Sequence, residues 1–249
     1  MSVSMLHRVR DELRSFAGYS SARMEASGGS VLLNANESPW PATFEAAAGL
    51  NRYPQPQPLL LRQRLADHYG VPAENLLLGR GSDEAIDWLT RLFCRAGVDS
   101  VAIAVPTFGM YAHCAAVQGA KLIAVPLVAE QDFALSPERL LDALEPDTKL
   151  VFVCSPNNPS GGVVPAPELL RLADALQGRA MLVVDEAYIE FADGPSLAGE
   201  AARRPNLALL RTLSKAHALA GARLGVLIAA AEVIALCRSI MAPYPLPAP

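Results

Sequence analysis

The chain has 249 residues, of which 51% are hydrophobic and 18% are charged. This is enough apolar sequence for a large packed core, and it suggests one large domain, or one domain and part of a second. The formal net charge is 21 − 25 = −4 and no long basic cluster is present, which argues against nucleic acid as a partner.

The sequence also argues against secretion and membrane insertion. Charged residues, among them Arg8 and Arg10, occupy the N-terminal region where a signal peptide needs an apolar segment. The longest uncharged stretch, 100–120, contains Pro106 and Gly109, so it predicts a strand, a turn and a helix rather than a membrane span. We therefore expect a cytoplasmic protein without a membrane partner.

Cysteine and histidine spacing predicts no metal site. The four cysteines are far apart and form no CxxC pair, so we expect small buried apolar side chains. The four histidines do not have the spacings that zinc sites favour. The residues concerned are Cys94, Cys114, Cys154, Cys237, His7, His68, His113 and His217.

Short β-branched segments alternate with amphipathic ones along most of the chain. We predict helices over 82–97, 136–145, 167–178 and 230–241, and strands over 100–106, 121–127, 149–154, 180–188 and 207–214. The strands show little polar alternation, as expected for parallel strands that are covered on both faces. Ser82 and Ser136 are the predicted N-caps of their helices. This order predicts an α/β domain with a mainly parallel central sheet and helices on both faces.

The two ends differ from this pattern. Residues 1–50 lack the alternation and are interpreted as an N-terminal arm and part of a small domain, leaving 51–249 as a large domain. After the last predicted helix comes "APYPLPAP" (242–249), whose proline density cannot continue a helix or enter the centre of a sheet. We interpret this segment as a connection to a C-terminal lobe that is largely absent.

Polar residues follow several of the predicted strands. Because ligands of doubly wound sheets bind beyond the carboxyl ends of the strands, these residues should meet at one edge. They include Asn158, Asp185, Tyr188 and Lys215, together with the glycine-rich "GRGSDE" (79–84) before a helix. Taken singly, each has an ordinary explanation as a turn, a cap or a solvated charge. Together, a lysine, a carboxylate, an amide, an aromatic ring and a helix N-terminus match what pyridoxal phosphate requires.

The same segments resemble a known family. "SPNNPSG" (155–161), "VVDEAYIEF" (183–191) and "RTLSKAHALAGARLG" (211–225) are similar to fold-type I pyridoxal-phosphate aminotransferases. "LNANESPWP" (33–41), "NRYPQPQP" (51–58), "GRGSDEAID" (79–87) and "PTFGMY" (106–111) narrow the resemblance to the histidinol-phosphate aminotransferase family. The resemblance implies the large cofactor-binding domain of that fold and a homodimer.

For this family, the resemblance implies a reaction in L-histidine biosynthesis. L-Histidinol phosphate and 2-oxoglutarate would give imidazole acetol phosphate and L-glutamate, with pyridoxal 5'-phosphate as cofactor. Lys215 would bind the cofactor aldehyde covalently and later move the substrate α-proton. Apolar surroundings, or Arg223 nearby, would help this amine to lose its charge. Asp185 would pair with the protonated pyridine nitrogen.

The remaining site residues are also carried over by resemblance. Asn158 and Tyr188 would bind the phenolic oxygen of the ring, and Phe108 would stack on its face, where the family often has tyrosine. The phosphate would lie on the backbone amides of Ser82 and Asp83 at a helix N-terminus. The side chains that would also bind the phosphate are Thr212, Ser214, Arg223 and, from the partner subunit, Tyr53. Tyr19 would help to enclose the substrate.

Three other interpretations stay open from the sequence. The arginine that clamps the substrate carboxylate in the family has no counterpart in these 249 residues, so the chain could bind cofactor without turnover. A lyase of the same fold, such as a threonine-phosphate decarboxylase, would use the same cofactor residues. A nucleotide-binding domain is a weaker alternative, since "GRGSDE" fits neither GxGxxG nor GxxxxGK[ST].

Overall fold

A single seven-stranded sheet organises the part of the chain that the structure describes. The structure, a computed structural model, describes residues 4–20, 34–41 and 49–248. The strands are β1 (Leu76–Arg80), β2 (Ser100–Val105), β3 (Lys121–Pro126), β4 (Thr148–Cys154), β5 (Met181–Asp185), β6 (Leu207–Thr212) and β7 (Leu224–Ile228). Their order is β1-β7-β6-β5-β4-β2-β3. Only β7 runs antiparallel to its neighbours, β1 and β6.

Helices cover both faces of this sheet, as predicted. The described helices of six or more residues are α1 (Leu59–Tyr69), α2 (Ser82–Phe93), α3 (Met110–Gln118), α4 (Pro137–Asp142), α5 (Ala166–Ala175), α6 (Ala198–Arg203) and α7 (Ala231–Ile240). One apolar core contains side chains of α2, α3 and α7, and the other contains side chains of α1, α4, α5 and α6. No described helix has both the length and the apolar character needed to cross a bilayer.

The predicted elements are mostly confirmed, with boundaries a few residues shorter. All five predicted strands exist, and 100–120 does form a strand, a turn and a helix. Strands β1 and β7 and helices α1 and α6 were not predicted. The N-cap prediction is confirmed for Ser136, whose hydroxyl accepts a hydrogen bond from the Arg139 amide. It is wrong for Ser82, which is the first helical residue after the N-cap Gly81.

Both ends of the chain contribute to the cores. Near the N-terminus, Met5 and Val9 are buried against the α2 and α7 side. Near the C-terminus, Leu246 is buried in the other core, so the proline-rich segment packs against the domain. The predicted division between an N-terminal arm (1–50) and a large domain (51–249) stays a prediction, because 1–3, 21–33 and 42–48 lie outside the described residues.

The cysteine prediction is confirmed. All four cysteines are buried and free of disulfides. Burial raises the pKa of the Cys154 thiol to about 12, so this side chain is neutral at ordinary pH. These cysteines therefore act as apolar packing groups.

Candidate active site

Strand direction brings the predicted site residues to one edge of the sheet. Strand β1 is antiparallel to β7, which is antiparallel to β6, so β1 points the same way as the five parallel strands. The carboxyl ends of β1, β2, β4, β5 and β6 therefore lie at one edge, together with the amino end of β7. Ligands of such sheets bind at this edge.

A cavity of about 180 Å³ lies at that edge. Its lining includes ten of the twelve predicted site residues: Ser82, Asp83, Phe108, Asn158, Asp185, Tyr188, Thr212, Ser214, Lys215 and Arg223. The two that do not line it are Tyr19 and Tyr53. A larger cavity of about 350 Å³ lies next to it, shares Cys154 with it and contains none of the predicted residues. Because the predicted site residues line the smaller cavity and not the larger one, we identify the smaller cavity as the candidate active site.

Asp185 is the buried acid of the cavity. Its side chain is almost fully buried at the end of β5, and burial raises the pKa of its carboxyl to about 6. Two donors oppose that rise: the Tyr111 hydroxyl at 2.7 Å and the Ala187 amide at 3.0 Å. An acid with little access to water pairs strongly with a cationic partner, so Asp185 suits a protonated ring nitrogen.

Tyr111 is a functional candidate that sequence reasoning left without a role. It is fully buried in α3, stacks on Phe152 at 4.8 Å and meets Phe108 edge to face at 5.7 Å. Burial, and then the charge of Asp185, raise the pKa of its phenol well above the usual value, so the hydroxyl keeps its proton and donates a hydrogen bond to Asp185. No sequence pattern marked this role, because Phe108 lies before α3 begins at Met110 and the bond from Tyr111 to Asp185 joins residues 74 positions apart.

Tyr111→Phe is expected to weaken pyridoxal phosphate binding about tenfold, because a hydrogen bond to a charged group contributes about 1.5 kcal/mol. Fluorescence titration of the cofactor-free chain measures this. Tyr69→Phe is the matched control, because the buried Tyr69 hydroxyl has no hydrogen-bond partner among the described residues. Equal dissociation constants for the two variants would contradict the role of the Tyr111 hydroxyl.

Glycines shape the part of the cavity next to the start of α2. Gly81 has φ +81°, and a Cβ there would lie 2.8 Å from Arg223 Nη2. A Cβ on Gly225 would lie 2.1 Å from the Gly81 carbonyl carbon, so β7 can pass this turn only without a side chain. The close approach puts Arg223, itself at φ +51°, beside the N-terminus of α2. A helix N-terminus next to an arginine is a suitable site for a phosphate.

Hydroxyl groups complete this anion site. Thr212 Oγ1 lies 3.0 Å from Ser214 Oγ and accepts a hydrogen bond from the Ser214 amide at 3.1 Å. Arg223 Nη2 is 3.3 Å from an Asp83 carboxylate oxygen, in an exposed pair. Such an exposed ion pair contributes little to stability. A phosphate group can therefore replace the Asp83 carboxylate as the partner of the Arg223 guanidinium.

The other side of the cavity holds Lys215, Tyr188 and Asn158. The Asn158 amide donates to the Tyr188 hydroxyl at 3.4 Å, and Lys215 Nζ lies 5.6 Å from the centre of the Tyr188 ring. Lys215 itself is exposed. Apolar residues therefore do not enclose Lys215, because the turn after β6 leaves the sheet and 215–216 and 218–223 are exposed. Arg223, the other neighbour expected for Lys215, lines the same cavity.

Tyr53 and Tyr19 lie away from the cavity lining. Tyr53 is about half exposed and stacks on Tyr244 at 4.5 Å with an interplanar angle of 15°. Tyr19 is 69% exposed. The predicted contacts of these rings with a partner subunit's phosphate and with substrate stay predictions.

The donor set fits pyridoxal phosphate. An amine, a buried acid, an aromatic ring, an amide–phenol pair and an anion site surround one cavity, and two glycines leave room where side chains would close the anion site. Each group matches one part of the cofactor: aldehyde, ring nitrogen, ring face, phenolic oxygen and phosphate.

Comparison with known proteins gives the family. The sequence profile "Aminotransferase class I and II" matches residues 29–249. The histidinol-phosphate aminotransferase of Xanthomonas campestris pv. campestris (strain ATCC 33913) is 54% identical over 250 aligned positions, covering 100% of this chain and 69% of the relative. That of Stenotrophomonas maltophilia (strain R551-3) is 54% identical, with 98% and 68% covered.

Solved structures agree. The histidinol-phosphate aminotransferase of Sinorhizobium meliloti in complex with pyridoxal-5'-phosphate has a TM-score of 0.75 and 31% identity, with 86% of this chain and 60% of that chain covered. The L-threonine-O-3-phosphate decarboxylase of Porphyromonas gingivalis has a TM-score of 0.65 at 23% identity, covering 79% of this chain and 57% of that chain, which shows the fold alone. By profile, identity and coverage, the chain belongs to the class I and II aminotransferases and, within them, to the histidinol-phosphate aminotransferase family.

Proposed function

We propose that this chain is a pyridoxal-phosphate-dependent aminotransferase acting on L-histidinol phosphate and 2-oxoglutarate. The products would be imidazole acetol phosphate and L-glutamate, in L-histidine biosynthesis. The observation that carries the proposal is the meeting of Lys215, Asp185 and the anion site in one cavity. The substrate assignment rests on relatives of that name at 54% identity, of which the chain spans 69% and 68%.

Each residue of the cavity has a task in this reaction. When bound, the cofactor would supply an electron sink that stabilises the negative charge left on the substrate α-carbon after its proton is removed. Lys215 would hold the cofactor through its aldehyde, and its free amine would accept the proton from the substrate α-carbon. Asp185 keeps the ring nitrogen protonated, and Tyr111 orients Asp185.

The other groups bind and orient. The Ser82 and Asp83 amides hold the phosphate at the start of α2, and the side chains of Thr212, Ser214 and Arg223 add hydrogen bonds to it. Phe108 stacks on the ring, while Asn158 and Tyr188 bind its phenolic oxygen. These contacts fix the ring relative to Lys215, which matters because small misplacements cost orders of magnitude in rate.

We further propose a cytoplasmic homodimer in which Tyr53 serves the partner subunit's site. The support is that Tyr53 is half exposed and does not line the cavity of its own chain. We assign 51–249 to the cofactor-binding domain, and 1–50 to an arm and part of a small domain in which Tyr19 reaches the substrate. Sedimentation velocity tests the dimer: a monomer at all concentrations would overturn it.

The test of the activity uses the purified chain loaded with pyridoxal phosphate. Incubation with L-histidinol phosphate and 2-oxoglutarate should give glutamate and imidazole acetol phosphate in equal amounts, detected by mass spectrometry. Carbon dioxide released from threonine phosphate would instead favour the decarboxylase. A cofactor that is attached to Lys215 without turnover of any amino donor would favour a cofactor-binding protein without catalysis. Either result would overturn the substrate assignment.

A further inference from the structure

A group of charged and polar side chains lies behind the cavity at the end of β6. Consecutive strand residues point to opposite faces. Thr212 lines the cavity, whereas Arg211 points the other way and lies over the Tyr69 ring of α1, with its guanidinium carbon 4.7 Å from the ring centre. The group, called here the Arg211 cluster, consists of Glu186, Glu190, Ser196, Arg211 and His217.

Arg211 joins the end of β6 to the segment that follows β5. Its Nη1 donates to Glu186 Oε2 at 3.2 Å and to Ser196 Oγ at 3.1 Å, and its Nη2 donates to Glu190 Oε1 at 2.6 Å. The Glu186 carboxylate also accepts the Leu197 amide at 2.8 Å. Since Glu186 follows Asp185 directly and Glu190 follows Tyr188 by two residues, these bonds hold the segment that carries both site residues.

Glu190 also faces the turn that carries Lys215. His217 Nε2 makes no hydrogen bond within the described residues, but it lies 3.4 Å from the same Glu190 oxygen that Arg211 binds, a contact that becomes an ion pair when His217 is protonated. His217 belongs to a tight turn in which the Ala218 amide donates to the Lys215 carbonyl and the Leu219 amide to the Leu213 carbonyl, both at 3.0 Å. The turn has a strained residue, Ala218, at φ +54°. Glu190 is therefore the point where the segment after β5, the end of β6 and the Lys215 turn meet.

The charge of Glu190 is stable in this setting. Burial acts to raise the pKa of its carboxyl, but hydrogen bonds from its own backbone and from Arg211 outweigh burial and hold that pKa below its usual value. The side chain is 23% exposed and that of Arg211 is 6% exposed. Glu190 can thus be altered with less risk to folding than Arg211.

Resting on the proposed function, we infer that Glu190 is a positioning residue for Lys215. It holds the Lys215 turn through His217 while Arg211 fixes Glu190 itself. Lys215 is exposed and lies three residues before Ala218 in the same turn, so a contact that fixes the turn also limits where the Lys215 amine can lie. Glu190 does not line the cavity, so it acts through the turn.

The experiment compares Glu190→Gln, His217→Phe and the double variant with the unaltered chain. Glutamine keeps an acceptor for Arg211 but removes the charge that faces His217. In the cofactor-free chain, hydrogen exchange of the Ala218 and Leu219 amides should accelerate roughly two- to fivefold in each single variant. Labelling of the Lys215 amine, measured relative to Lys121 by mass spectrometry, should change by a similar factor. In the loaded chain, cofactor release should speed up.

The double variant separates positioning from general loosening. If Glu190 and His217 act through their contact, the double variant should change no more than the larger single change. Glu145→Gln is the matched control, because Glu145 pairs with Lys121 at the opposite edge of the sheet. It should leave exchange at 218–219 and cofactor release unchanged.

Unaltered exchange and Lys215 labelling in both single variants would overturn the inference, as would fully additive effects. A wild-type chain that never attaches cofactor to Lys215 would instead overturn the proposed function. The exchange and labelling measurements would still decide the role of Glu190, since they use the cofactor-free chain.

Discussion

Lys215→Ala is expected to abolish covalent attachment of pyridoxal phosphate and to lower transamination at least about 10³-fold, because the same amine binds the cofactor and moves the substrate proton. Lys215→Arg should fail in the same way, since a guanidinium stays protonated and is no nucleophile. The loss should appear as a missing absorbance band on addition of cofactor. Folding should be unaffected, because the side chain is exposed.

The lysine content of the chain makes this test decisive. There are only three lysines, Lys121, Lys149 and Lys215. Borohydride reduction followed by peptide mass mapping therefore has only three lysine side chains and the α-amino group to tell apart. Lys121→Gln is the control, because Lys121 pairs with Glu145 far from the cavity. A reduced adduct on Lys121 or Lys149 would falsify the assignment.

Asp185→Asn is expected to have two effects of opposite sign. Cofactor affinity should fall roughly 10- to 100-fold, because the charge-assisted bond to the ring nitrogen is lost. The cofactor-free chain should become more stable at neutral pH, because a buried carboxylate that has no cationic partner among the described residues is removed. The first effect is measured by cofactor titration and the second by urea unfolding of the cofactor-free chain.

The pH dependence of the second effect follows from the pKa of Asp185. Burial raises that pKa from 3.8 to about 6, so between these values the native state keeps a proton that the unfolded state has lost. The free energy of unfolding of the wild type should therefore fall relative to Asp185→Asn as the pH rises from about 4 to about 6. Above about pH 6 the difference should level off, having changed by about 3 kcal/mol from its value at low pH. Parallel curves for the two chains would rule out a buried charge at this position.

The buried carboxylate of Asp185 is expected to destabilise the cofactor-free protein and to be needed for cofactor binding. The cofactor-free protein carries a desolvated acid at the edge of its sheet, and a protonated ring nitrogen would offset that cost. Bound cofactor should therefore stabilise the wild type more than it stabilises Asp185→Asn.

Sequence patterns predicted the parallel core of the sheet but not its antiparallel part. Strands β2 to β6 were found because Val, Ile and Leu runs of strand length alternate with amphipathic helices. Strand β1, "LLLGR", has no β-branched residue, and β7, "LGVLI", continues into an alanine-rich segment. Short apolar runs of this kind fit a helix or a strand equally well. These two segments form strands because β7 pairs with both β1 and β6 in the folded sheet.

The sequence by itself determined which residue types meet at the cavity, since the order of strand ends and the topology of parallel sheets bring Asn158, Asp185, Thr212 and Lys215 to one edge. Only the tertiary structure decided how each group is held. The bond from Tyr111 to Asp185, the exposure of Lys215 and the Arg211 cluster all join residues distant in sequence or follow from a turn geometry. Such contacts depend on packing between elements, and local periodicity carries no information about packing.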